Sequence, residues 1–148
     1  MALPPCGLYR TTAPIGEVPA GRLVYFHNHG DPGPGVYLPA SWQNNRASWH
    51  RGGHTLPDEA LASTLKPLPR EGLYLVEEEI TCCAKRCQTY APDTLVQLGY
   101  NGEGRAILFL PTLSQDGVAL PARGTGIDDD RLDKLRPLKV REAQPEVH

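Results

Sequence analysis

Apolar positions along the chain fall into short runs divided by turn residues, which is the pattern of brief strands. The first run, residues 22–27, is β-branched and aromatic (Leu23, Val24, Tyr25, Phe26) and halts at Gly30, Pro32, Gly33, Pro34 and Gly35. Val36, Tyr37 and Leu38 read as a short returning strand. Residues 41–53 hold no period, and Gly52 with Gly53 excludes helix, so a long polar loop carrying Trp42 and Trp49 is expected. Over residues 55–65, Thr55 suits a cap, Pro57 a first turn, and Asp58 and Glu59 the anion-favouring end of a helix. Residues 73–80 predict a strand whose alternation breaks at Glu77, Glu78 and Glu79. Val96, Leu98 and Tyr100 alternate over residues 94–100. Asn101, Gly102, Glu103 and Gly104 then supply a turn, and residues 106–110 return as a strand buried on both faces. Val96, Leu98, Ile107 and Phe109 are the expected heart of the core. A short helix over residues 128–135 and a closing strand at 138–140 complete the pattern.

The sum is a strand-dominated α+β domain, a mostly antiparallel sheet or small barrel with one or two short helices. Four prolines (Pro4, Pro5, Pro14, Pro19) in residues 1–20 predict an extended arm, followed by one globular domain over residues 21–141 and a tail at 142–148. No internal repeat or low-complexity tract is visible. Composition agrees: the 148 residues include 15 Gly and 15 Pro, too many for long helices.

Charge narrows the function classes. Fifteen Lys and Arg against 17 Asp and Glu leave a net charge of −2, without an overall pull toward nucleic acid or anionic lipid. No run approaches the ~18 uncharged apolar residues of a membrane span. The first residues show neither the basic start nor the apolar stretch of a secretion signal, and a cytoplasmic location is expected.

Candidate chemistry centres on cysteine and histidine. Cys82, Cys83 and Cys87 form a cluster and Cys6 stands apart; free thiols, a disulfide and a zinc site all fit this spacing. His27 and His29 lie two apart at a strand end and therefore on one face, while His50 and His54 flank a Gly pair. Gly21, His27 and His29 resemble the opening of the first cupin motif over nine residues, but Gly33 and Pro34 occupy the place of its Glu and no second motif follows. A metal-dependent enzyme or zinc-stabilised module would use His27, His29, His50 or His54 with Cys82, Cys83 and Cys87. No nucleophile elbow, Walker loop or dinucleotide fingerprint is present.

Two other groups suggest a binding surface. Trp42, Arg46, Trp49 and Arg51 combine the side chains that dominate protein-interface hot spots. The acidic runs Glu77, Glu78, Glu79 and Asp128, Asp129, Asp130 could meet a basic partner, or cap a helix and guard a strand edge. The segments Leu65, Lys66, Pro67, Leu68 with Gly72, Leu73, Tyr74, and Leu95 to Asn101 with Ile107, Leu108 and Phe109, resemble small bacterial proteins of the immunity type, the companions that neutralise polymorphic toxins. The resemblance implies a cytoplasmic binding protein and names no partner; taken with the acidic runs, the leading expectation is a non-enzymatic protein-binding module, an immunity-type inhibitor of a basic toxin domain. Trp42, Arg46, Trp49, Arg51 and the three glutamates would be its contacts, with no cofactor required unless zinc is held.

Overall fold

A computed structural model describes residues 3–30, 32–83, 85 and 88–141. The tail at 142–148 lies outside them. Among the described residues strand outweighs helix by 44% to 9%, and the α component of the expected α+β fold reduces there to two short 3-10 helices. Among the described residues the strands pair antiparallel throughout, and neither of the two larger sheets closes into a barrel.

The dominant feature is a duplication. In the first half β1 (Gly7–Thr11), β2 (Leu23–His27) and β3 (Gly35–Tyr37) lead to a hairpin of β4 (Pro39–Gln43) and β5 (Arg46–Trp49). There follow β6 (His54–Thr55), a 3-10 helix at Glu59–Thr64 and β7 (Leu65–Pro67), giving a sheet in the order β6-β3-β2-β1-β7. The second half begins with β8 (Gly72–Val76), a small pair of β9 (Ile80–Thr81) and β10 (Thr89–Tyr90), then β11 (Leu95–Tyr100) and β12 (Ala106–Phe109). A hairpin of β13 (Thr112–Ser114) and β14 (Gly117–Ala119), then β15 (Thr125–Ile127), a 3-10 helix at Asp129–Lys134 and β16 (Leu135–Pro137) complete it. Its sheet order, β15-β12-β11-β8-β16, repeats the first.

Local bonds repeat as well. The Tyr9 hydroxyl donates to Pro5 O and that of Tyr74 to Arg70 O, each at 2.6 Å and four residues back. Leu68 N donates to Leu8 O and Leu138 N to Leu73 O, each at 3.0 Å. The sequence hides this because the matching segments stand at unequal spacings: Gly7-Leu8-Tyr9 answers Gly72-Leu73-Tyr74, but Leu65 answers Leu135.

Several expectations change. Residues 1–20 are not an arm. From Gly7 the chain enters the first sheet as an interior strand, Tyr9 and Thr11 are buried, and Ile15 and Val18 are fully buried in a bridged turn. The prolines flank these positions and do not interrupt the ladder, which is where proline is tolerated. Residues 41–53 are not one loop. Asn44 and Asn45 have φ of 53° and 65°, the left-handed pair that a two-residue hairpin turn needs and that Asn tolerates. The strand over 73–80 ends at Val76, leaving Glu77, Glu78 and Glu79 in an exposed turn. The closing strand is Leu135–Pro137, not 138–140.

Two hydrophobic clusters form. One, around Tyr9, Val24, Phe26, Val36 and Leu65, belongs to the first half alone. The other, around Tyr74, Val96, Leu98, Leu108 and Ile127, also takes in Leu23 and Ala47 from the first half, with Leu8, Trp49 and Leu68 packed against it. Within the β11–β12 hairpin, Val96 and Leu98 are fully buried and Phe109 is buried, but Ile107 is half-buried and Leu108 takes the inward position. Leu108→Ala should therefore cost about 2–5 kcal/mol in urea unfolding, the range for emptying a core aliphatic site, and Ile107→Ala distinctly less.

Candidate functional site

The segment expected to be a binding loop is the β4–β5 hairpin, and it crosses from its own half to dock on the other. Its Asn44–Asn45 turn sits on β11. Gln97, a polar residue only 8% exposed in an otherwise apolar strand, donates through Nε2 to Asn44 O at 2.9 Å. Its Oε1 accepts from Asn45 Nδ2 at 2.9 Å, and the same Nδ2 reaches Pro121 O at 2.8 Å. This satisfies the buried amide, which would otherwise cost about 1–3 kcal/mol. Gly99 makes the approach possible, since a Cβ there would lie 2.8 Å from Asn45 O and 3.1 Å from a Phe109 ring carbon.

Further contacts fix the hairpin along its length. Trp42 Nε1 donates to Tyr100 O at 2.9 Å, and Ala47 N donates to Glu71 Oε2 at 3.0 Å. Burial raises the Glu71 carboxyl above its ordinary value, opposed by the Ala47 bond and by Arg46. The Tyr100 hydroxyl, pushed up by burial, donates to Pro69 O in the segment joining the halves. Trp49 is half-buried against the second cluster and meets Tyr25 with ring centroids 5.7 Å apart. Trp42 keeps 42% exposure, and Arg46 and Arg51 are exposed. Much of the aromatic content of this segment thus serves the contact between halves.

The acidic runs part ways. Asp129 is bonded by Arg10 and by Lys66 Nζ, the latter at 2.7 Å, which ties the start of the second 3-10 helix to the first sheet. The Arg10 bond, then the Lys66 bond, hold its carboxyl down at about 2 against the opposing effect of burial. Asp128 pairs with Arg105 and Asp130 with Arg131. Arg10, Arg22, Glu103, Arg105 and these aspartates line an open cleft of about 830 Å3 whose charges largely answer one another. Glu77, Glu78 and Glu79 are exposed, with Glu77 3.4 Å from Arg136.

The metal-capable residues regroup. His27 and His29 come together with Cys6, and Cys82 and Cys83 stand outside that group. Cys87 lies outside the described residues. Cys82 is buried between its backbone bonds to Gln88 and Asp128. His50 is exposed and His54 lies half-buried on β6, and neither joins the group. Cys6 was the residue that sequence reasoning left out. It stands one place before the register pair Gly7 and Phe26, and so opposite His27.

The exposed apolar surface lies elsewhere. Leu113 is 82% and Val118 65% exposed, they face each other across the β13–β14 hairpin, and exposed Leu110 and Leu120 flank it. No hydrophobic excess in the sequence marks these residues, because each alone resembles an ordinary strand position.

Two outcomes test the seam. Gly99→Ala should cost about 1–3 kcal/mol in urea unfolding through overpacking against the Asn45 carbonyl and Phe109. The Asp129 carboxyl titrates below its ordinary 3.8, so its stabilisation is fully present above about pH 4 and is lost as pH falls toward 2. Asp129→Asn should lower stability by about 1 kcal/mol at neutral pH, as suits a solvent-screened pair, and the difference from the parent should shrink as pH falls through 2 in thermal melts.

Compared with protein-family models, with curated proteins and with solved structures, the chain matches none.

Proposed function

We propose that this protein works by binding another protein, without catalysis, and that the β13–β14 hairpin is its recognition element. The observation that carries the reading is the contrast between two equivalent hairpins. The hairpin of the first half buries its turn on a sheet and engages its polar groups there. That of the second half presents Leu113 and Val118 side by side to solvent. An exposed apolar pair on a short hairpin is a local liability that a bound partner removes. It also fits the interface pattern of an apolar centre rimmed by polar residues, here Ser114, Gln115 and Asp116.

The immunity-type role implied by the sequence resemblance is the specific form of this proposal. The bound protein is then a basic toxin domain, and Glu77, Glu78 and Glu79 add long-range attraction with contacts from Arg46, Arg51 and the exposed edge of Trp42.

The test places a benzophenone amino acid at Leu113 and, as control, at exposed Ser48 of the first hairpin, followed by irradiation in the source cells. The expected result is one discrete adduct from position 113, lost when Val118→Asp is added, and none from position 48. An adduct of twice the chain mass identifies the bound protein as a second copy. No adduct, or the same adducts from both positions, overturns the proposal.

A further inference from the structure

We infer that Cys6, His27 and His29 form a site for Zn2+, independent of the hairpin surface. The fold brings these residues together by register. Pairing of Gly7 with Phe26 sets Cys6 beside His27 across the first two strands, and the turn after β2 returns His29 to the same face. Cys6 Sγ lies 3.4 Å from His27 Nδ1 and 4.0 Å from His29 Nδ1, with the two rings 3.9 Å apart between centroids.

These separations are those of ligands around one ion. With Zn–S of about 2.3 Å and Zn–N of about 2.0–2.1 Å at tetrahedral angles, sulfur and nitrogen ligands stand about 3.5 Å apart. The His27 pair is already at that spacing, and the His29 pair needs to close by about half an ångström. His29 is exposed, so its ring has room to move.

The surroundings support the sulfur. Asn28 N donates to Cys6 Sγ at 3.3 Å, the kind of bond that orients a thiolate ligand. Asn28 Nδ2 donates to Pro4 O at 3.2 Å, which steadies the amide; its Oδ1 accepts from the Cys6 thiol at 3.3 Å and from His29 Nδ1 at 2.8 Å, and both bonds are given up when Sγ and Nδ1 turn to the ion. One thiolate and two imidazoles favour a borderline ion such as Zn2+ over Ca2+ or Mg2+, which take oxygen ligands. Binding replaces water on the ion by one sulfur and two nitrogens and releases the Cys6 thiol proton to solvent.

The experiment uses the full chain without a histidine tag. Zn2+ is titrated in competition with a chromogenic chelator, and Co2+ serves as the spectroscopic substitute. One equivalent should bind, the Co2+ form should show a thiolate charge-transfer band, and Cys6→Ser should abolish that band. Cys6→Ser and His29→Ala should each weaken Zn2+ binding by about 100-fold or more, above the loss from a merely supporting residue. His29 is exposed and His29→Ala leaves the sheet intact, so a folding defect cannot explain its effect. No binding, no thiolate band, or a band that survives in Cys6→Ser because Cys82, Cys83 or Cys87 supplies the sulfur, overturns the inference.

Discussion

The amide of Gln97 is the point on which the two halves meet. It lies between Val96 and Leu98, both apolar and buried, where an unpartnered amide would be costly. Its partners come from the far end of a hairpin belonging to the other half, and only a glycine beside it lets that hairpin come close. Further ties between the halves include Trp42 with Tyr100, Ala47 with Glu71, Leu23 with Gly102, and Arg10 and Lys66 with Asp129. The halves share one strand order, yet they are not interchangeable, because one supplies a hairpin and the other the sheet that receives it.

That asymmetry also separates the surfaces. The first hairpin is used within the chain, so its tryptophans serve packing more than recognition, and the equivalent element of the second half is the one left to solvent. The acidic run at 128–130 is likewise absorbed by internal pairs, whereas Glu77, Glu78 and Glu79 stay exposed on a turn. The Cys6, His27 and His29 group lies on the first sheet, at the mouth of its β1–β2 pair, and is independent of the seam.

Much of this was legible in the sequence, and the failures have physical causes. The strands at 23–27, 35–37, 95–100 and 106–109 announce themselves through β-branched and aromatic runs closed by turn residues. The β4–β5 hairpin escaped although Ser41-Trp42-Gln43 and Arg46-Ala47-Ser48-Trp49 alternate in polarity, because each run is short and Ala47 and Trp49 pack on the cluster of the other half. The decisive signal was Asn44-Asn45, a turn that accepts two left-handed residues. The N-terminal strand escaped because prolines on either side outweighed Leu8, Tyr9, Ile15 and Val18. Cys6 was not joined to His27 and His29 for a related reason: a ligand brought in by strand register stands at no fixed spacing from its partners, unlike the pair carried on one strand end.

The two hydrophobic clusters differ in self-sufficiency, and this bears on the order in which the chain can fold. The first is built wholly from residues up to Leu65, while the second takes Leu23 and Ala47 from the other half. A ribosome releases the self-contained half first, and domains tend to fold as they emerge. The completed first half then offers Leu23 and the docking hairpin as a template when residues 95–127 appear. The reverse order would leave the second cluster waiting for side chains not yet held in place, with closure of contacts as distant as Arg10 and Asp129 still to come. Synthesis from the N-terminus thus delivers the half that gives before the half that receives.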